Sequence, residues 1–229
     1  MAILPFVAAV AVVTGVAPVS AAPLTIGTPT GNNCFPFGCH LSGAASTTYQ
    51  QVYAASAFVG GPLAISGLSF ISTSGAPNGG TYTLSLSTTP AAVNGLDLAT
   101  FANNVGGDNT QVFSGSLAGQ FSGGVLSFSF APFIYDPTVG NLLLNISVAG
   151  NPVTGLTNFF QAMNGDSGGL FSRAHDFGIV FANSGLVTTF DVRRGDQVPE
   201  PTTGVLLILG GAVARFTARR RRCMSRSAS

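Results

Sequence analysis

Apolar and polar residues alternate with a period of two along much of this chain. That spacing turns every second side chain to the same face of a β-strand. It is cleanest in TYTLSLS (81–87), VLSFSF (125–130) and LLLNISV (142–148). Weaker alternation or short apolar runs mark TYQQVY (48–53), LAISGLSFI (63–71), TQVFSGSL (110–117), NFFQAM (158–163), FGIVF (177–181) and LVTTFDV (186–192). Turn-forming clusters lie between them: APNGG at 76–80, GGDN at 106–109 and YDPTVGN at 135–141. About ten short strands punctuated in this way predict an all-β fold, an antiparallel β-sandwich or jelly roll. One segment, GLDLATFANNV (95–105), reads as a short helix between strands. No internal repeat stands out. The span 23–197 is long enough to bury one sizeable core.

Composition narrows the class. Charged residues make up 7% of the 229 residues and apolar residues 46%, whereas ordinary soluble domains carry about 25% charge. The apolar content excludes a disordered chain. Low charge, thirty glycines and no tryptophan suit an exported β-rich body. The net charge of +1 hides an asymmetry. Before Val198 there are three arginines (173, 193, 194) and seven aspartates, a net −4. From Val198 onward there are six arginines against Glu200 alone, a net +5. A nucleic-acid binder carries its basic charge on the folded body, so that class is set aside.

Both ends read as targeting segments. The apolar run 3–16 is followed by Val19-Ser20-Ala21, small residues at the positions a signal peptidase reads. Residues 1–22 are therefore expected to be a secretory signal peptide cleaved after Ala21 or Ala22, although no Lys or Arg precedes the apolar run. At the other end, Pro199 and Pro201 forbid a helix before Thr202. A helix over 202–219 would be about 26 Å long, the short limit for crossing a bilayer. Arg215 interrupts it and has to snorkel toward the basic side. The cluster Arg219, Arg220, Arg221 and Arg222 belongs in the cytoplasm by the positive-inside rule, with residues 223–229 as a cytoplasmic tail. Cys223 then stays reduced.

This tripartite tail, Val198-Pro199-Glu200-Pro201, a short apolar helix and an arginine cluster, resembles the PEP-CTERM sorting signal of bacterial surface proteins. The resemblance covers about the last 30 residues and departs from the pattern at Arg215 and in the residues after the arginines. It implies recognition and cleavage near Pro-Glu-Pro by exosortase, a membrane-embedded cysteine enzyme. It also implies an inner-membrane precursor and an association with exopolysaccharide and biofilm. A plain C-terminal anchor without processing is the alternative.

The remaining chemistry is sparse. Cys34 and Cys39 flank FPFG, and in an oxidising compartment they are expected to pair as a disulfide. A metal site of Cys34, Cys39 and His40 lacks a clear fourth ligand. The stretch Gly165-Asp166-Ser167-Gly168-Gly169 matches the nucleophile motif of trypsin-like serine proteases, and His40, Asp97 and Ser167 stand in that family's order. The departures weigh more. His40 sits in GCHLSG, too few residues precede it to build the strands such a fold needs, Leu170 replaces the usual proline, and His175 falls after the serine. A glycine-rich turn is the simpler reading. Asp97 and Asp108 with Asn103, Asn104 and Asn109 lack a calcium-loop spacing. Exposed Tyr49, Tyr53 or Tyr82 would offer a sugar platform. The sequon Asn145-Ile146-Ser147 falls in an expected strand.

The sequence is thus read as an exported, non-catalytic surface or extracellular-matrix protein without a cofactor or metal. Its partners would be exosortase, the inner membrane and extracellular polysaccharide, and its role structural or adhesive. A carbohydrate-binding module is the second reading and a serine hydrolase through GDSGG the third.

Overall fold

Every ladder between strands of the described residues is antiparallel, as short Gly- and Asn-rich connections between alternating segments require. The structure, a computed structural model, describes residues 22–39, 46–150, 158–176 and 178–194. They form β1 (Ala22–Ile26), β2 (Gly31–Asn33), β3 (Ser46–Tyr53), β4 (Leu63–Ser74), β5 (Thr81–Thr89), β6 (Thr110–Gly115) and β7 (Phe121–Ser122). There follow β8 (Val125–Tyr135), β9 (Asn141–Ala149), β10 (Phe159–Met163), β11 (Phe171–His175), β12 (Ile179–Phe181), β13 (Gly185–Leu186) and β14 (Thr188–Arg194). One sheet runs β12-β11-β3-β9-β5-β6. The other runs β1-β14-β4-β10-β13, with β8 also along β4, β7 on β8 and β2 on β10. No α-helix occurs among the described residues. The helix expected over 95–105 is instead an extended lid with one 3-10 turn, Phe101–Asn104. The signal peptide and the C-terminal helix lie outside the described residues.

The two sheets share one core, and the alternation explains which residues enter it. On β9, Leu142, Leu144, Ile146 and Val148 face inward and are buried with Leu84 and Leu86 of β5 and Leu126 and Phe128 of β8. Burying each such side chain contributes about 1.5–3 kcal/mol. Leu143 points the other way, yet it is also buried. It meets Val52, Ala174 and Leu96 in a second cluster, roofed by Val93, Leu98, Phe101 and Val105 of the lid. The run of three leucines therefore reflects a strand covered on both faces at that end.

β3 is the strand most dependent on this double covering. Its outward Gln50 is fully buried. Its Nε2 donates to Phe101 O and to Asn145 Oδ1, each at 3.0 Å. Its Oε1 accepts from Asn104 Nδ2 at 2.7 Å. The inward Gln51 crosses to the other sheet, where Nε2 donates to Leu186 O at 2.9 Å and Oε1 accepts from Leu186 N at 2.8 Å. The amide thus pairs with β13 as a backbone strand would. This approach needs Gly185, because a Cβ there would lie 2.6 Å from Gln51 Oε1. Tyr49 also donates its hydroxyl to Gln51 Oε1, and Tyr53 pairs with Thr188 Oγ1 at 2.6 Å.

Beyond Tyr49 lie two buried ionisable groups of β11. The Arg173 guanidinium stacks over Phe181 at 4.7 Å and lies beside Tyr49. His175 is packed among Phe35 (4.7 Å), Tyr49 (5.1 Å) and Phe181 (5.3 Å). Burial first, and the Arg173 charge second, push His175 down to about 3. Burial raises the Tyr49 phenol to about 12, with Arg173 working against that rise.

A small covalent loop closes the core beside this cluster, its Phe35 already packed on His175. Cys34 and Cys39 are joined in a disulfide with Cα atoms 5.1 Å apart. The loop between them drives Phe37, fully buried, among Phe70 (4.9 Å), Phe160 (5.4 Å), Tyr82 (6.0 Å) and Phe128 (6.4 Å). Phe37 O accepts from Asn78 N at 2.7 Å, which ties the loop to the turn before β5.

Three measurements check this account of the core. Replacing both cysteines, C34S/C39S, should lower the unfolding free energy in urea by about 2 kcal/mol through loop closure alone. Phe37→Ala, which removes the aromatic plug itself, should cost about 3–5 kcal/mol. For His175, the unfolded chain takes up a proton below about pH 6.5 while the folded chain does not until about 3. Stability should therefore fall with falling pH, by about 2–3 kcal/mol between pH 6.5 and 4.5. His175→Phe should flatten that dependence in urea titrations, and an unchanged slope would contradict the assignment.

Candidate functional site

The route from body to tail runs through β14. This strand is held on both edges, by β1 (Ala22↔Val192 to Ile26↔Thr188) and by β4 (Thr189↔Ser69 to Arg194↔Leu63). Its last residue is clasped, since Arg194 Nε donates to Val59 O at 3.1 Å. The start of β1 and the end of β14 thus lie side by side at one end of the sheet. Val198, Pro199, Glu200, Pro201 and the cluster Arg219–Arg222 lie outside the described residues. The sheet is complete before the Pro-Glu-Pro stretch begins, so no described strand draws residues from the tail.

The GDSGG stretch is a structural turn. Gly165, Gly168 and Gly169 have φ of +79°, +59° and +83°, a region that side-chain-bearing residues rarely adopt. Ser167 is buried, its Oγ donating to Phe171 O at 2.8 Å and accepting from Phe171 N at 3.4 Å. The hydroxyl is thereby spent on starting β11, and no histidine is among its hydrogen-bond partners. His175 is enclosed in its aromatic cage, and Asp97 lies on the lid. His40 lies outside the described residues.

Asp97 organises the lid and is itself exposed. Its Oδ1 accepts from Ala99 N and Thr100 N at 2.8 and 3.0 Å, and its Oδ2 from Asn103 Nδ2 at 2.8 Å. Those bonds, that from Asn103 foremost, hold its carboxyl below the usual range. Asn104 points inward, with Oδ1 accepting from Asp97 N and Nδ2 donating to Gln50 Oε1 and Asp97 O. Asn103 and Asn104, two of the asparagines considered for calcium, are thus lid fasteners. Among the described residues no three His, Cys, Asp or Glu side chains gather for a metal ion, and both Cys34 and Cys39 sulfurs are spent in the disulfide.

The aromatic sugar platform is corrected. Tyr49, Tyr53 and Tyr82 are 2%, 0% and 0% exposed. The sheet phase places all three on the inner face, where two of the hydroxyls meet buried polar side chains. Asn145 of the sequon lies on β9, its Oδ1 engaged by Gln50. Sequence reasoning missed Gln50, Gln51 and Arg173 as the polar interior. The signal available was two adjacent glutamines in an otherwise strand-like run.

No curated protein and no solved structure matches the chain. One family model does, that of the PEP-CTERM protein-sorting motif, over residues 197–222. This span contains the Pro-Glu-Pro stretch, the apolar segment and all four clustered arginines, and it opens three residues after β14 ends. The chain therefore carries a PEP-CTERM protein-sorting motif over residues 197–222, the signal of an exported protein processed at the membrane by exosortase.

Proposed function

We propose that this chain delivers a self-sufficient β-sandwich body to the cell surface or extracellular matrix, where it has a structural or adhesive role linked to exopolysaccharide. The observation that carries the reading is the sorting motif at 197–222. In this reading the apolar segment holds the precursor in the inner membrane, with the arginines Arg219–Arg222 on the cytoplasmic side. Exosortase cuts near Pro199–Pro201. The body supports the reading in two ways. Its low charge and its buried disulfide suit an extracytoplasmic environment. The last described strand ends at Arg194, before the motif begins, so loss of the tail is expected to leave the described strands in place.

The test is expression with and without exosortase, followed by intact-mass analysis and fractionation. Residues beyond the Pro-Glu-Pro stretch should be lost only where the enzyme is present, and replacing Pro199, Glu200 and Pro201 by alanine should prevent the loss. The released body should unfold in urea within about 0.5 kcal/mol of the uncut chain. It should also sediment with the polysaccharide fraction and be set free when that polymer is digested. An intact, membrane-held chain in both hosts would overturn the sorting reading. A cut body that stays soluble would overturn the adhesive role alone.

A further inference from the structure

One end of the sandwich carries a groove of about 500 Å³, none of whose lining residues belongs to the sorting motif. Three segments distant in sequence line it: the end of β5 with Pro90, the turn at Gly107 and Asp108, and the stretch from Ile134 to Val139. Its apolar surface is aliphatic. Ile134 is 66% and Val139 73% exposed, two of the five large hydrophobic side chains so exposed among the described residues.

Two carboxylates share this groove, and each is fixed by the backbone. Asp108 Oδ1 accepts from Thr88 N at 2.8 Å. Asp136 Oδ1 accepts from Thr138 N at 2.9 Å and from Thr138 Oγ1 at 2.7 Å. In both, Oδ2 accepts no hydrogen bond among the described residues, and neither carboxylate has a cation beside it there. The groove therefore presents two single oxygens with uncompensated charge next to exposed aliphatic side chains, on a body of net −4.

We propose that this groove receives the lysine side chain of a partner protein, its methylene stem against Ile134 and Val139 and its ammonium between Asp108 and Asp136. The chemistry selects among cations. An ammonium is a point charge with three donors and suits two separate acceptor oxygens. A guanidinium gains its advantage from a bidentate carboxylate, and here one oxygen of each carboxylate is already engaged. Calcium takes six to eight oxygen ligands and gains nothing from aliphatic walls. A lysine stem, by contrast, gains from covering apolar surface while its head stays polar. This chain contains no lysine, so the side chain comes from a different protein. The lining residues lie outside the sorting motif, so a failure of the sorting reading leaves the proposal standing.

The test is a titration of the full 229-residue chain, in non-ionic detergent at low salt, with Nα-acetyl-L-lysine methylamide, followed by the methyl resonances of Ile134 and Val139. Saturable shifts at both residues are expected. The double variant D108N/D136N keeps the Oδ1 acceptors and so the turns, and should weaken binding about tenfold. Ile134→Ser with Val139→Ser should weaken it while leaving the fold unchanged by circular dichroism. The Nε-acetylated probe, which is neutral, should not bind. The proposal is overturned if the lysine probe shifts neither methyl, or if D108N/D136N binds as the parent does. It is equally overturned if arginine methylamide, glucosamine or calcium chloride binds as tightly as the lysine probe.

Discussion

The structure depends on one strand being buried on both of its faces. β3 lies in the middle of its sheet, where its two adjacent glutamines point in opposite directions. Gln51 reaches across the core and pairs with the backbone of Leu186 in the other sheet. Gln50 turns outward and, through Asn104 and Phe101, holds the lid that roofs the sheet. A buried amide left without partners costs about 1–3 kcal/mol. Each glutamine therefore stabilises one packing arrangement and penalises the alternatives. Hydrophobic burial supplies most of the stability, but it is not directional. The amides fix which sheet edge and which lid conformation go with β3.

The same logic explains why charged groups are few inside and why those present are tolerated. Arg173 is desolvated but stacks on Phe181 and touches the Tyr49 hydroxyl, which continues into Gln51. A line of polar contacts thus runs from β11 through β3 to β13 between apolar layers. Next to it the disulfide loop, whose Phe35 packs on His175, performs a similar task by covalent means, inserting Phe37 among four aromatic rings. Every described strand of this body lies before the sorting motif. That fits a protein whose last segment is an address to be read and removed.

Much of this was legible in the sequence, and the failures have physical causes. β5, β8 and β9 were readable because one face of each is apolar and the other polar over most of its length. β11 was missed because all five of its residues are buried, Arg173 and His175 included, so no alternation remained to read. β1 and β2 were missed because a short edge strand is defined by its pairing partner rather than by its own pattern. The tyrosines were misplaced because an amphipathic ring is compatible with either face and only the register decides. GDSGG resembles a catalytic motif because tight turns and nucleophile loops need the same glycines. Here the serine is consumed by the backbone of Phe171. The sorting tail was the most legible element, since its meaning lies in contiguous residues. The groove lined by Asp108, Ile134 and Asp136 was the least legible, because Asp108 meets the other two only through the fold.

The most direct test of the account is native-state hydrogen exchange at the amide of Leu186. β13 has only two residues, and amides of such short segments ordinarily exchange by local fraying. If Gln51 joins the two sheets as described, the Leu186 amide should exchange only through global unfolding. Its protection should match that of the central residues of β9 and fall selectively in Gln51→Leu. Protection of Leu186 no greater than that of an exposed turn amide would contradict the account, because the sheets would then be held together by apolar packing alone.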